Sequence, residues 1–176
     1  MVRLVPAFVL ASSCLLLTAG APPKAVPLCQ AGETTLFAFQ TKGGKTASLC
    51  RGPKGSYLVY RFGTPGKVEL QYPAALNASS WQKFTYWSYT RGGGAANAGR
   101  ETSQLKFENA GVEYTLSDET IAGYDKNREE VYRREVGIDV LVKGKNILVK
   151  GSPNTVVGGL YKVRDDNKVK IDEDMQ

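Results

Sequence analysis

Tyr57 to Tyr72 reads YLVYRFGTPGKVELQY, and this stretch decides the fold. Tyr57, Val59 and Arg61 alternate with Leu58, Tyr60 and Phe62 before the break, and Val68 and Leu70 alternate with Glu69 and Gln71 after it. A period of two marks half-buried antiparallel strands, because successive side chains of a strand point to opposite faces. Gly63, Thr64, Pro65 and Gly66 supply the turn, where proline stops one strand and glycine accepts backbone angles that other residues resist. The stretch predicts a hairpin.

The same grammar extends in both directions. Thr34 to Thr41 and Thr46 to Cys50 form a hairpin around Lys42, Gly43, Gly44 and Lys45, whose paired glycines suit a tight turn. Trp81 to Thr90 reads as one aromatic strand, with Trp81, Trp87 and Tyr89 on one face and Phe84 and Tyr86 on the other. Glu101 to Glu108 and Val112 to Ser117 pair across Asn109, Ala110 and Gly111, setting Leu105 and Phe107 against Tyr114 and Leu116 on a buried face. Asp118 to Arg134 is polar and reads as a loop, with Asn127 and Glu130 spaced for a single helical turn. Val136, Ile138, Val140 and Val142 then alternate, Lys143 to Asn146 turns the chain into Ile147 to Val149, and a last strand falls near Val156 to Val163. Turn residues at intervals close to ten predict an all-β fold, an antiparallel sandwich or partly closed barrel of about seven to ten strands.

Met1 to Ala21 reads as a secretory signal peptide: one early charge at Arg3, an apolar run from Leu4 to Leu17, and small residues at Ala19, Gly20 and Ala21. Fourteen residues at about 1.5 Å each fall short of the roughly 30 Å hydrocarbon core, so the run is too short for an anchor. Cys14 lies inside the run, and Ala11, Ser12 and Ser13 make only a faint lipobox before it. The domain plan is a leader at 1–21, a Pro-rich connector at 22–33, a β domain at 34–163 and a charged tail at 164–176. About 150 residues suffice for one core, and no stable membrane insertion is expected. Cys29 and Cys50 are then the one available pair in an oxidising compartment and are expected to form a disulfide.

The chain carries a net charge of +6, and Asp165, Asp166, Asp172, Glu173 and Asp174 gather acid at the end, leaving a more basic body. A basic face favours an acidic partner or an anionic surface such as cell-wall polymer, besides serving solubility. Nucleic acid is not an expected partner, because the protein is exported and its basic residues are dispersed.

The chain holds no histidine. That removes the usual general base, the Ser/His and Cys/His nucleophile systems and the commonest metal ligand. Adjacent acids at Asp118 and Glu119, at Glu129 and Glu130, and at Asp165 and Asp166 point to opposite faces if on strands, whereas a glycosidase needs carboxylates that converge. Asp125, Asn127 and Glu129 imitate a calcium loop but lack its glycine and terminal bidentate glutamate. Gly94 to Gly99 before Arg100 and Glu101 imitates a phosphate loop without its lysine and hydroxyl residue. The Asn77, Ala78, Ser79 sequon matters only in a host that glycosylates secreted proteins. No cofactor, no metal and no catalytic residue is expected.

Leu36 to Gly52 and Tyr57 to Pro73 resemble a family of small secreted β-rich proteins of Gram-negative bacteria. The matching positions are Gly44, Lys45, Ser48, Cys50, Tyr60, Arg61, Phe62 and Gly63. The resemblance implies an exported β-rich domain in the periplasm and transfers no active site. In kind, the chain is also similar to periplasmic immunity proteins and secreted lysozyme inhibitors, which plug the clefts of envelope-targeting enzymes. A basic body opposes binding to basic lysozymes and suits an acidic or neutral toxin better.

RGGGAANAGR, Arg91 to Arg100, reads as a long flexible connection with little side-chain bulk between two arginines. Such a loop beside aromatic residues can enter a partner's cleft and order on binding. The expected partner-binding surface is Trp81, Trp87, Tyr89, Arg91, Gly92, Gly93, Gly94, Asn97 and Arg100. The function expected first is a periplasmic binding protein that inhibits a toxin or cell-wall enzyme. The alternatives are a cell-wall-binding module with a basic face and an enzyme built on carboxylates or tyrosine.

Overall fold

The computed structural model describes residues 24–94 and 97–173. The expected leader, with its expected cleavage sites and Cys14, lies outside the described residues. Among these residues eleven strands form two sheets. The strands are β1 (Thr34–Gln40), β2 (Thr46–Arg51), β3 (Leu58–Thr64), β4 (Lys67–Tyr72), β5 (Thr85–Arg91), β6 (Arg100–Asn109), β7 (Val112–Tyr124), β8 (Glu130–Val142), β9 (Lys145–Lys150), β10 (Val157–Gly158) and β11 (Lys170–Ile171). The first sheet runs β10-β1-β2-β3-β4 and the second β11-β5-β6-β7-β8-β9. Every pairing is antiparallel except β11 with β5.

The inner face of the first sheet follows the period-two pattern. Phe37 lies opposite Leu49, Leu49 opposite Tyr60, and Tyr60 opposite Tyr72. The second sheet answers with Tyr86, Leu105, Leu116 and Ile138 in one cross-strand row. Leu105 to Leu116 and Phe107 to Tyr114 are paired as the sequence predicts. Phe107 stacks on Tyr72 and Tyr114 with centroids 4.6 and 4.9 Å away, joining the two layers. These residues form one core, and large apolar side chains removed from water supply its main driving force.

The outer face of the first sheet is covered by the connector, which is part of the packed domain. Ala25 and Leu28 are buried. Leu28 donates its N–H to Ser48 Oγ at 2.9 Å, and Cys29 is disulfide-bonded to Cys50 on β2. Glu33 ion-pairs with Arg61 of β3 at 2.6 Å.

Three sequence boundaries are corrected. The aromatic strand begins at Thr85, because Asn77 caps a 3-10 turn over Ala78–Lys83 by accepting the Ser79 N–H. Asp118 to Arg134 is a long hairpin, β7 with β8, closed by Asp125 Oδ1 accepting the N–H groups of Asn127 and Glu129 at 2.8 and 2.9 Å. The expected strand at Val156 to Val163 is the two-residue β10 followed by a 3-10 turn over Leu160–Arg164. The charged tail is also integrated: Val169 is buried, β11 pairs with β5, and Asp166 ion-pairs with Arg51. No helix of the described residues is long and apolar enough to cross a membrane.

Candidate functional site

The strands of the first sheet have six or seven residues apart from β10, whereas β7 and β8 have 13 each. The second sheet therefore outruns the layer that covers it. Register places successive cross-strand rows on the inner face beyond the aromatic core: Ser88, Ser103, Asp118 and the still-buried Val136, then the more open Thr90, Glu101, Thr120 and Arg134. Further out, Ala122 lies opposite Tyr132, and the Ala122 N–H donates to Gly99 O at 2.8 Å.

Two depressions occupy this face. One of about 420 Å³ lies over Ser88, Ser103 and Glu101 and is walled by Gly158, Tyr161 and Arg164. The other, of about 350 Å³, lies over Gly99 and Ala122 and reaches Tyr132. Thr90, Glu101 and Thr120 line both, so the two form one groove.

The wall is braced by charge-assisted bonds. Arg134 donates from Nε and Nη2 to the two oxygens of Asp118, each at 2.7 Å. The Leu160 N–H also donates to Asp118 Oδ2 at 3.0 Å, and Arg134 Nη2 donates to Gly158 O at 3.2 Å. A bidentate guanidinium–carboxylate pair fixes geometry as well as charge. The Tyr86 hydroxyl lies 2.8 Å from Ser103 Oγ at the floor. At the outer rim, the Tyr132 hydroxyl is held above its ordinary pKa by its hydrogen bond with Glu130.

The expected partner-binding residues divide. Trp81 is 1% exposed, with its indole N–H donating to Gly55 O at 3.1 Å, so it belongs to the core and not to a binding surface. Trp87 and Tyr89 sit on the outer face of β5, their rings near parallel with centroids 6.3 Å apart, and Tyr89 is 39% exposed. Arg91 and Arg100 are paired across β5 and β6 on that same face. Arg91 donates to Ala98 O at 3.1 Å, and Arg100 Nε reaches Glu119 Oε1 at 2.6 Å.

The β5–β6 ladder ends at Arg91 and Arg100, and beyond it an isolated antiparallel bridge joins Gly94 to Asn97. Gly94 and Asn97 exchange backbone hydrogen bonds at 2.9 and 3.3 Å. A Cβ on Gly93 or Gly99 would press on the other's amide nitrogen, at 3.1 and 3.2 Å, so glycine lets the two backbones meet. The result is a thin finger beside Tyr89, with Gly92, Gly93, Gly94 and Asn97 on it. Ala95 and Ala96 lie outside the described residues.

Sequence reading missed the groove. Its signal was the change from Tyr86 to Ser88 and Thr90, and from Leu105 to Ser103 and Glu101, along strands whose inner face had been apolar. Only the cross-strand register shows that these polar residues share one surface. Cys29, Glu33 and Cys50 also cluster, but the disulfide engages both sulfurs, and thiolate ligands for a metal are lost there. Compared with family models, curated proteins and solved structures, the chain matches none.

Proposed function

We propose that this is an exported, non-catalytic binding protein of the periplasm that neutralises an envelope-targeting enzyme, in the manner of an immunity protein or inhibitor. The leader composition supports export, and the Cys29–Cys50 disulfide suits an oxidising compartment. The observation that carries the reading is the finger. It is narrow because it is built on glycine, and it is already paired before any partner arrives. A preformed insert loses less conformational freedom on binding than a floppy loop. Tyr89 and the two arginines lie beside it on the outer face and supply residue types enriched at interface hot spots.

The test replaces Gly93 to Ala98 with a two-residue Asn-Gly turn between Gly92 and Gly99, which keeps the Gly99 carbonyl that accepts the Ala122 N–H. Fold should survive, because a hairpin tip adds little to stability and a short turn closes at small entropic cost. Immobilised wild-type protein should retain one enzyme from periplasmic extract, and the shortened, folded variant should lose it. Equal retention by both proteins would sink the finger as the site.

A further inference from the structure

We infer that the uncovered inner face of the second sheet is a binding groove for a neutral oligosaccharide chain. Its outer depression shares Arg91, Gly92, Gly93, Gly99 and Arg100 with the base of the finger. Its inner depression, walled by Tyr161 and Arg164, holds none of the finger's residues, and the inference does not depend on the partner proposed above.

Its shape comes first. Two connected depressions of about 420 and 350 Å³ run along the strands, each within the range of small-molecule clefts. Connected in series, they suit an elongated ligand better than a compact one.

Its chemistry comes second. The shared floor presents Thr90 and Thr120, with Ser88 and Ser103 deeper in. A hydroxyl both donates and accepts, which matches the mixed demands of sugar hydroxyls. Glu101 adds an acceptor and Arg164 a fork of donors at the same depression.

Charge narrows the class. At the inner depression two acids, Glu101 and Asp118, face two guanidinium groups, Arg134 and Arg164, so neither sign is in excess. Asp118 and Arg134 are further spent on each other. An anionic wall polymer or a basic peptide would find no field to draw it in. A neutral polyol needs none.

The rim supplies apolar contact. Tyr161 is 59% exposed, and a Cβ on Gly159 would collide with its ring, so the bare glycine seats the ring in place. Tyr132, 67% exposed, stands at the other end. An aromatic face accepts the C–H surface of a sugar ring while the hydroxyl remains wet. Because the Asp118–Arg134 brace and the Tyr86–Ser103 contact are already made, little ordering is left for the ligand to impose.

Calorimetric titration of the whole mature protein tests this with three probes: tetra-N-acetylchitotetraose, cellotetraose and tetragalacturonate. At least one neutral tetrasaccharide should bind, with affinity insensitive to salt, and preference between them tells an N-acetylated chain from a plain glucan. Tyr161→Ala should weaken binding at least tenfold, and Glu101→Gln should do so independently; both positions are exposed, and unchanged circular dichroism shows that the variants fold. Retention of the enzyme partner should be unchanged in Tyr161→Ala, which separates this site from the finger. Absence of binding to both neutral probes at millimolar concentration, or affinity unaltered in both variants, overturns the proposal. So does tighter, salt-sensitive binding of tetragalacturonate. Release of new reducing ends, lost in Glu101→Gln, would overturn it in favour of a carboxylate hydrolase.

Discussion

Arg61 and Glu33 are each 1% exposed at the side chain, and they meet in a bidentate pair at 2.6 and 2.9 Å. Such a pair holds only if its remaining valences are met. Here they are: Tyr57 donates its hydroxyl to Glu33 Oε1, the Gln30 N–H donates to Oε2, and Arg61 Nε donates to Gln71. Burial alone raises the carboxyl pKa, but the hydrogen bonds from Arg61, Gln30 and Tyr57 outweigh it and hold Glu33 below its ordinary value of 4.5. A carboxyl depressed in the folded state contributes stability that is fully present above its unfolded value and is lost as pH falls through the folded one. The thermal midpoint should therefore drop as pH is lowered below 4.5, and Glu33→Gln should flatten that dependence. At neutral pH Glu33→Ala leaves a buried guanidinium without its counter-charge and should cost about 3–5 kcal/mol by urea unfolding. A loss below about 1 kcal/mol, the scale of an exposed pair, would mean that water reaches Arg61.

At the scale of elements, the disulfide fastens the connector across the outer face of the first sheet, joining positions 21 residues apart. Closing a loop of this size restricts the unfolded chain, and Cys29→Ser with Cys50→Ser should lower stability by about 3 kcal/mol. Urea midpoints of oxidised and double-serine protein measure it, and equal midpoints would show that Leu28, Glu33 and their partners suffice. The same pairing was legible in the sequence, because the expected leader contains Cys14 and leaves Cys29 and Cys50 as the one pair. Hairpins were legible wherever glycine or proline separated alternating runs, as in Tyr57 to Tyr72. The β7–β8 extension was not, for a physical reason: beyond Leu116 and Val136 the two strands carry mostly polar, partly exposed side chains on both faces, so no sustained apolar alternation marks them. Its turn at Asp125 is closed by a carboxylate and not by glycine. The β5 start was misplaced because Trp81 carries a strand-former's side chain on a turn whose cap, Asn77, signals a loop as readily as a helix. For the candidate site, the finger's residues could be named from composition, whereas the groove required register between four strands.

At the scale of the whole molecule, the tail closes the open end of the sandwich by touching both sheets. Asp166 ion-pairs with Arg51 at the end of β2, and β11 lies parallel beside β5 of the second sheet. Between them Lys168 donates to Gly55 O at 2.9 Å and stands 5.6 Å from the Trp81 ring centroid, while Val169 is buried. Trp81 donates to that same Gly55 carbonyl, so the tail covers the indole that the 3-10 turn has dropped into the core. Ending the chain after Arg164 should remove the clasp without touching the finger. Burial of Val169 alone is worth roughly 1.5–3 kcal/mol; the exposed part of the Arg51–Asp166 contact adds little. The truncated protein should thus unfold about 3–12 °C lower, on the scale of about 2–4 °C per kcal/mol for a domain of this size. Its tryptophan emission should shift to the red as water reaches Trp81. An unshifted spectrum together with an unchanged midpoint would show the last residues to be a solvated extension, and the sandwich to be complete at Arg164.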